Sequence, residues 1–324
     1  MRHVTLTISL ALGLAAAGAQ LASATPFEPA TIPDSAQAAG HLDVDALRKT
    51  QIFAGVGGQA AIDAALNDAP AEMQPVVRML AQSARGVSFW YGADHGAVYL
   101  ETRDGRALSQ LLGKLPVKPT RTVDGVSTYA ITAHGSPHFV AVFGDTLVLA
   151  DADASLETSL HVLAGKAGNL AGSKQLPMST RQGVFVLVTL GDNMLGAIQK
   201  HAHSKVLQLG LRSVAIDVSE SGGMLVANAR AEMRSADAVQ KARSILDGLR
   251  ALASLSDEPA AGALVDGITV TSNGLSIDVV ARLPVSQIIP MIQAHHGHHK
   301  QMMDKHRAKD KAKAKSKDSD DDND

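Results

Sequence analysis

From Arg85 onward the apolar positions follow a two-residue rhythm. Val87, Phe89 and Tyr91 point one way, a turn is signalled at Asp94-His95-Gly96, and Val98, Leu100 and Thr102 resume the alternation. Such alternation broken by turn formers predicts a hairpin. Asp104 then caps a predicted helix in which Ala107, Leu108, Leu111, Leu112 and Leu115 share a face, with Pro116 and Pro119 ending it. Two further strands are predicted, Thr122 to Ile131 and Phe139 to Ala150, followed by a helix with Leu156, Leu160 and Leu163 in register.

The same word order returns from Leu211. Val214, Ile216 and Val218 form a strand, Ser221-Gly222-Gly223 a turn, and Leu225 through Met233 the return, with Asn228, Arg230 and Glu232 on one wet face. Ser235 caps a long helix that turns Val239, Ala242, Ile245, Leu246, Leu249 and Leu252 inward. After the Asp257-Glu258-Pro259 break, Ile268 and Val270 face Leu275, Ile277 and Val279 across Asn273-Gly274, a strong hairpin signal, and a last helix runs from Pro284 to near Gln293.

Each half reads strand, strand, helix, strand, strand, helix, and each is preceded by a helix opening at an aspartate, Asp43 or Asp192. The prediction is an α+β protein made of tandem-duplicated antiparallel sheets, each covered by helices. Val184 to Leu190 reads as a buried strand, whereas the stretch before Asp43 is too short and polar to predict its counterpart. The first half carries an additional helical stretch, Gln59 to Gln82, bent at Pro70 or Pro75.

The N-terminus changes the setting. Arg2 and His3, an apolar run from Val4 through Ala17, and the small-residue site Ala22-Ser23-Ala24 have the order of a cleavable secretory signal, and the run is short of the roughly 20 residues a spanning helix needs. The expected organisation is a signal peptide (1–24), a linker (25–39), a first α+β half (40–165), a linker (166–182), a second half (183–293) and a tail (294–324). The mature chain is then periplasmic or secreted, with no membrane span. There is no cysteine, so stability must come from burial rather than disulfides. With 45% hydrophobic residues the material for a core is present, and a formal net charge of −2 offers no general basic face for nucleic acid. Aromatic residues are only 3%, too few for a broad stacking platform.

Three segments, His41 to Arg48, Gly144 to Ala150 and Asp151 to Lys166, resemble parts of uncharacterised secreted or periplasmic bacterial envelope proteins, a domain-of-unknown-function group. The resemblance spans residues 40 to 293 loosely and implies a non-enzymatic, secreted, duplicated α+β protein. It carries no active site over.

The residues themselves supply no complete catalytic motif. Gly55-Val56-Gly57-Gly58-Gln59-Ala60 fits a dinucleotide loop, but no acidic residue closes a second strand about 20 positions on, and a link between two helices accounts for it. Asp151, Asp153, Ser155 and Glu157 imitate the opening of a calcium loop, but Leu156 stands where glycine is needed and Val162 where glutamate is needed, so a helix with acids in its first turn is the better account. Gly168 to Lys174 lacks the order of a phosphate loop. His134, Ser136 and His138 share a turn that a hydrolase reading would join to Asp145 or His95, and turn chemistry explains them equally. His201 and His203, two apart, point to different sides of a helix.

Two features remain as candidate sites. The tail gathers His295, His296, His298, His299 and His306 with Met302 and Met303, donors suited to Ni, Cu or Zn, before a lysine-rich block and the run Asp318 to Asp324, which predicts disorder. Trp90 and Tyr99 lie out of phase with Phe89 and Leu100 and are expected to form a small aromatic patch on the outer face of the first hairpin. The first reading is therefore a non-catalytic envelope protein that binds or scaffolds another envelope protein or an anionic envelope polymer, with no cofactor. The alternatives are periplasmic metal binding through the tail and an unrecognised hydrolase.

Overall fold

Two short strands far apart in sequence meet in the middle of this protein. In a computed structural model that describes residues 26–67, 74–114, 117–133, 136–173, 184–189, 210–254 and 265–293, strand β1 (Ala38–Asp43) pairs antiparallel with β8 (Phe185–Thr189), Gly40 opposite Leu187. On the far side of β1 follow β2 (Ala84–Tyr91), β3 (Gly96–Thr102), β7 (Thr146–Ala150), β6 (Ser136–Phe143), β5 (Val126–Ala133) and β4 (Pro119–Val123). Beyond β8 lie β9 (Leu211–Ser221), β10 (Met224–Met233), β12 (Ser276–Pro284) and β11 (Ile268–Asn273). The expectation of tandem-duplicated antiparallel sheets is met only in part: all 12 strands join in one antiparallel sheet.

β1 was not expected, and its composition explains why. Ala38, Ala39 and Gly40 have little strand preference, and His41 is polar, yet in mid-sheet all four are buried. Small residues suit this seam because the Phe89 ring lies over Gly40. A Cβ there would come within 2.3 Å of that ring. Between Pro119 and Ala150 the first half also has four strands where two were predicted. Asp124 (φ 50°) and Gly125 (φ 81°) make a two-residue turn between β4 and β5, and Gly144 (φ 56°) with Asp145 makes one between β6 and β7.

The remaining elements follow the apolar periodicity closely. They are helices α1 (Val44–Leu47), α2 (Gln51–Gly55), α3 (Gly58–Asn67), α4 (Gln74–Ser83), α5 (Gly105–Lys114), α6 (Asp153–Leu163) and α7 (Ala236–Ser254), and α8 over 285–293. Asp43 caps α1 by accepting from the Ala46 amide at 2.7 Å, Asp104 accepts from Ala107 at 2.9 Å, and Ser235 from Ala238 at 3.2 Å. The glycine-rich stretch Gly55 to Ala60 links α2 to α3, with Gly57 and Gly58 both at positive φ. No strand opens it, as a dinucleotide loop requires. No described helix is long and apolar enough to cross a membrane.

Alternation along the strands divides the sheet into two faces. The upper face presents Val87, Val98, Leu100, Val140 and Leu147 to Leu108 and Leu112 of α5 and to Met79 and Leu80 of α4. In the second half the same face presents Val214, Ala231, Val270 and Ile277 to Ala238, Val239 and Ala242 of α7. On the lower face, Trp90, Ala97, Tyr99, Ala141, Val148, Val186 and Val188 are covered by Leu156 and Leu160 of α6, by Leu170, and by Phe27 and Ile32 from the N-terminal strap, residues 26–37. Each leucine so buried contributes roughly 1.5–3 kcal/mol. The lower faces of β9, β10 and β12 have no comparable helix among the described residues.

Candidate functional site

The lower face around β1, β2 and β3 carries polar groups inside an otherwise apolar layer. Alternation places Ala39 and His41 of β1, Ser88 and Trp90 of β2, and Tyr99 and Glu101 of β3 on this side, and the register sets His41 opposite Ser88 and Glu101 opposite Gly86. His41 Nδ1 lies 2.9 Å from Ser88 Oγ, and Ser88 donates to Glu101 Oε1 at 3.4 Å. Gly86 makes the convergence possible: a Cβ at that position would stand 3.0 Å from His41 Cε1 and 3.3 Å from Glu101 Oε2. Phe27 of the strap closes over the group, its ring centroid 6.2 Å from that of His41. Burial pushes the Glu101 carboxyl up to about 7, opposed by the Ser88 hydrogen bond and Arg85 and reinforced by Asp43 and Glu28.

Acid, base and hydroxyl are thus in contact, but in an order unsuited to nucleophilic catalysis. A working triad places histidine between nucleophile and acid so that the ring accepts the hydroxyl proton. Here serine stands in the middle, and with Glu101 ionised its proton faces the carboxylate while its lone pair receives His41 Nδ1–H. His41 and Ser88 are each only 1% exposed. The arrangement satisfies polar groups within the sheet and stores a titratable carboxyl there.

Beside it, Asp45 ties a structural knot. Its carboxylate, 3% exposed, meets Arg48 at 3.2 Å, Arg85 at 3.8 Å and Arg103 more closely. Arg48 donates to the carbonyls of Ala81 and Ala84, and Arg103 to that of Gln82, so both cations sit at the C-terminal end of α4, where the helix dipole favours positive charge. Burial, and then Arg103, lower the Arg48 guanidinium.

Trp90 and Tyr99 share a face as their phase predicted, but not an outer one. Trp90 is 5% and Tyr99 1% exposed, both under α6, with Trp90 Nε1 donating to Ser159 Oγ at 3.1 Å. The expected aromatic patch is core, because α6 and the strap fold back over this side; burial raises the Tyr99 phenol. Asp153 and Glu157 are engaged by Arg121 at 3.0 and 2.7 Å, and Asp151 accepts from the Gly96 amide at 2.9 Å, so the calcium-like series serves to dock α6 and the β3 turn. Ser136 begins β6 whereas Asp145 follows its far end, about 25 Å away along an extended strand, and His95 faces Asp151 at 3.8 Å. The hydrolase grouping is not assembled.

Among the described residues no three His, Asp or Glu side chains are grouped to hold a metal ion. His295, His296, His298, His299 and His306 lie outside the described residues, as do the signal segment, His134, His201, His203 and the helix expected at Asp192. The sequence reading missed His41, Ser88 and Glu101. Their only signal was a shared phase with Trp90 and Tyr99, visible once β1 is known to pair with β2.

Asn228, Arg230 and Glu232 do share the lower face of β10, as predicted. Arg230 makes a two-pronged contact with Asp278 at 2.6 and 3.2 Å, Asn228 donates to Asp217 at 3.3 Å, and Ser276 to Glu232 at 2.5 Å. The hydrogen bonds to Asp278 raise the Arg230 guanidinium, and burial raises the Asp217 carboxyl against its bond from Asn228.

No family model matches the chain, and no curated protein sequence matches it. Among solved structures it is similar to TP0453. Crystal form III of that protein aligns with a TM-score of 0.51 at 9% identity, covering 84% of this chain and 99% of the other. Crystal forms IV and I align with TM-scores of 0.49 and 0.47, both at 10% identity over 83% of this chain and 97% of the other. At such identity the likeness to form III is one of fold, and it places nearly the whole of TP0453 within the architecture of this chain.

Proposed function

We propose that this chain is a non-catalytic exported protein of the cell envelope that scaffolds a protein partner on the open lower face of β10 and β12. One observation carries the reading: a single sheet buries its lower face under α6 and the strap in the first half, whereas on β10 and β12 that face is part-exposed and no described helix covers it. That open face mixes half-exposed Met224, Val226 and Val280 with Asn228, Arg230, Asp278 and Glu232, the apolar-polar blend of a protein interface. Its accessible charges balance, Glu232 and Asp278 against Arg230 and Arg282, so it has no basic excess to attract an anionic polymer. Export rests on the N-terminal charge and apolar run, and the absence of catalysis on the serine-centred order of the buried polar group.

The test is a photo-crosslinking residue at Val226 or Val280 in producing cells. A discrete adduct is expected from those positions and none from Ala154 on α6. No adduct, or the same adduct from both faces, would sink the reading.

A further inference from the structure

The sheet ends in two edge strands that are built very differently. β4 carries three devices that discourage further pairing: Pro119 has no N–H to offer, the register shifts between Pro119 and Arg121, and Arg121 is a charge held by Asp153 and Glu157. β11 carries none of them. Its sequence, Ile268-Thr269-Val270-Thr271-Ser272-Asn273, lacks proline and charge, four of its six residues are β-branched, and its register against β12 is uninterrupted from Ile268 opposite Ala281 to Asn273 opposite Ser276. Thr269, Thr271, Ser272 and Asn273 are exposed. A regular, uncharged edge of this kind is a template for another strand.

We propose that β11 pairs antiparallel with β11 of a second copy of this chain, about a two-fold axis perpendicular to the sheet. That axis keeps upper face with upper face, as strand pairing demands. In the register centred on Val270, that residue meets its own image, and Thr269 meets Thr271 of the other copy, so no like charges stand opposed. The neighbouring charges on α7 are of both signs: Arg243, which reaches Ser272 Oγ at 3.0 Å, and Asp247, 3.8 Å from Arg243. The molecule already contains such a joint, for β1 and β8 unite two like arrays of strands in the same antiparallel sense. The dimer repeats that joint at the outer rim and makes one sheet twice as wide.

Light scattering on the eluting full chain is expected to give twice the monomer mass. The double variant Thr269→Lys, Thr271→Lys sets like charges against each other across the joint and is expected to give the monomer mass with an unchanged circular dichroism spectrum, while Thr122→Lys on β4 remains dimeric. Because the protein has no cysteine, Val270→Cys reports directly: mild oxidation is expected to yield a disulfide-linked dimer, and Thr122→Cys none. A monomeric wild type overturns the proposal. So does a folded lysine variant that stays dimeric, or a dimeric protein in which Val270→Cys fails to cross-link. If the lysine variant does not fold, the cysteine result alone decides.

Discussion

The lower face of the sheet is closed in one half of the molecule and open in the other. Over β1, β2 and β3 it is roofed by α6 and the N-terminal strap, and the polar groups there, His41, Ser88 and Glu101, satisfy one another in a dry layer. Over β10 and β12 the pair Arg230–Asp278 is also made across strands, but at the border of solvent. The same device, a cross-strand polar pair, thus has different physical weight in the two halves. In the closed half a missing partner strands a group in low dielectric; in the open half water replaces it.

Four measurements sharpen or break this contrast. The largest effect is expected from Trp90→Ala, which empties part of the closed layer and removes a donor to Ser159; urea unfolding should show a loss of about 3–5 kcal/mol. A loss under about 1 kcal/mol would mean that the roof is not stabilising. Next comes the pH dependence of Glu101. Its folded value, about 7, lies above the ordinary 4.5, so its favourable contribution is complete below the ordinary value and disappears as pH rises through about 7. Between about pH 5 and 8 the wild type should lose at most about 3 kcal/mol relative to Glu101→Gln. Parallel pH profiles would remove the buried carboxyl from the account.

At the seam, Gly40→Ala should cost about 1–3 kcal/mol, since its Cβ would collide with the Phe89 ring, and Phe89→Ala in the same chain should recover part of that loss. Additive losses in thermal unfolding would show that ring and glycine are uncoupled. The smallest effect is expected in the open half: Arg230→Ala should change stability by no more than about 1 kcal/mol, because its partner Asp278 stays hydrated. A cost matching that of Trp90→Ala would erase the distinction between the faces.

Local pattern announced most of the elements, and it failed for identifiable reasons. The hairpin around Asp94-His95-Gly96, the long helix after Ser235 and the Asn273-Gly274 turn were legible because alternation, caps and turn formers agree there. The Asp124-Gly125 turn was equally legible in principle; its two residues are a strong hairpin pair inside what had read as one strand. β1 was not legible, because Ala38 to His41 owe their extended form to neighbours on both sides rather than to preference. Trp90 and Tyr99 show the limit most clearly. Their phase was right, but which face of a sheet meets water depends on where α6 and the strap return, and that is not written in the strand itself. His41, Ser88 and Glu101 were beyond reach for the same reason: three lone polar residues become a group only through register.

The seam also sets an order of events. β1 offers one border to β2 soon after both have been made, but its other border must wait for β8, roughly 150 residues further along the chain. Until then the growing polypeptide holds an unfinished sheet with a row of unanswered amides and carbonyls at what will become its centre. Contacts so distant in sequence form slowly and leave time for wrong associations. The joint in the middle is therefore the pairing in this sheet that spans the longest stretch of chain, and the one that contact order makes slow.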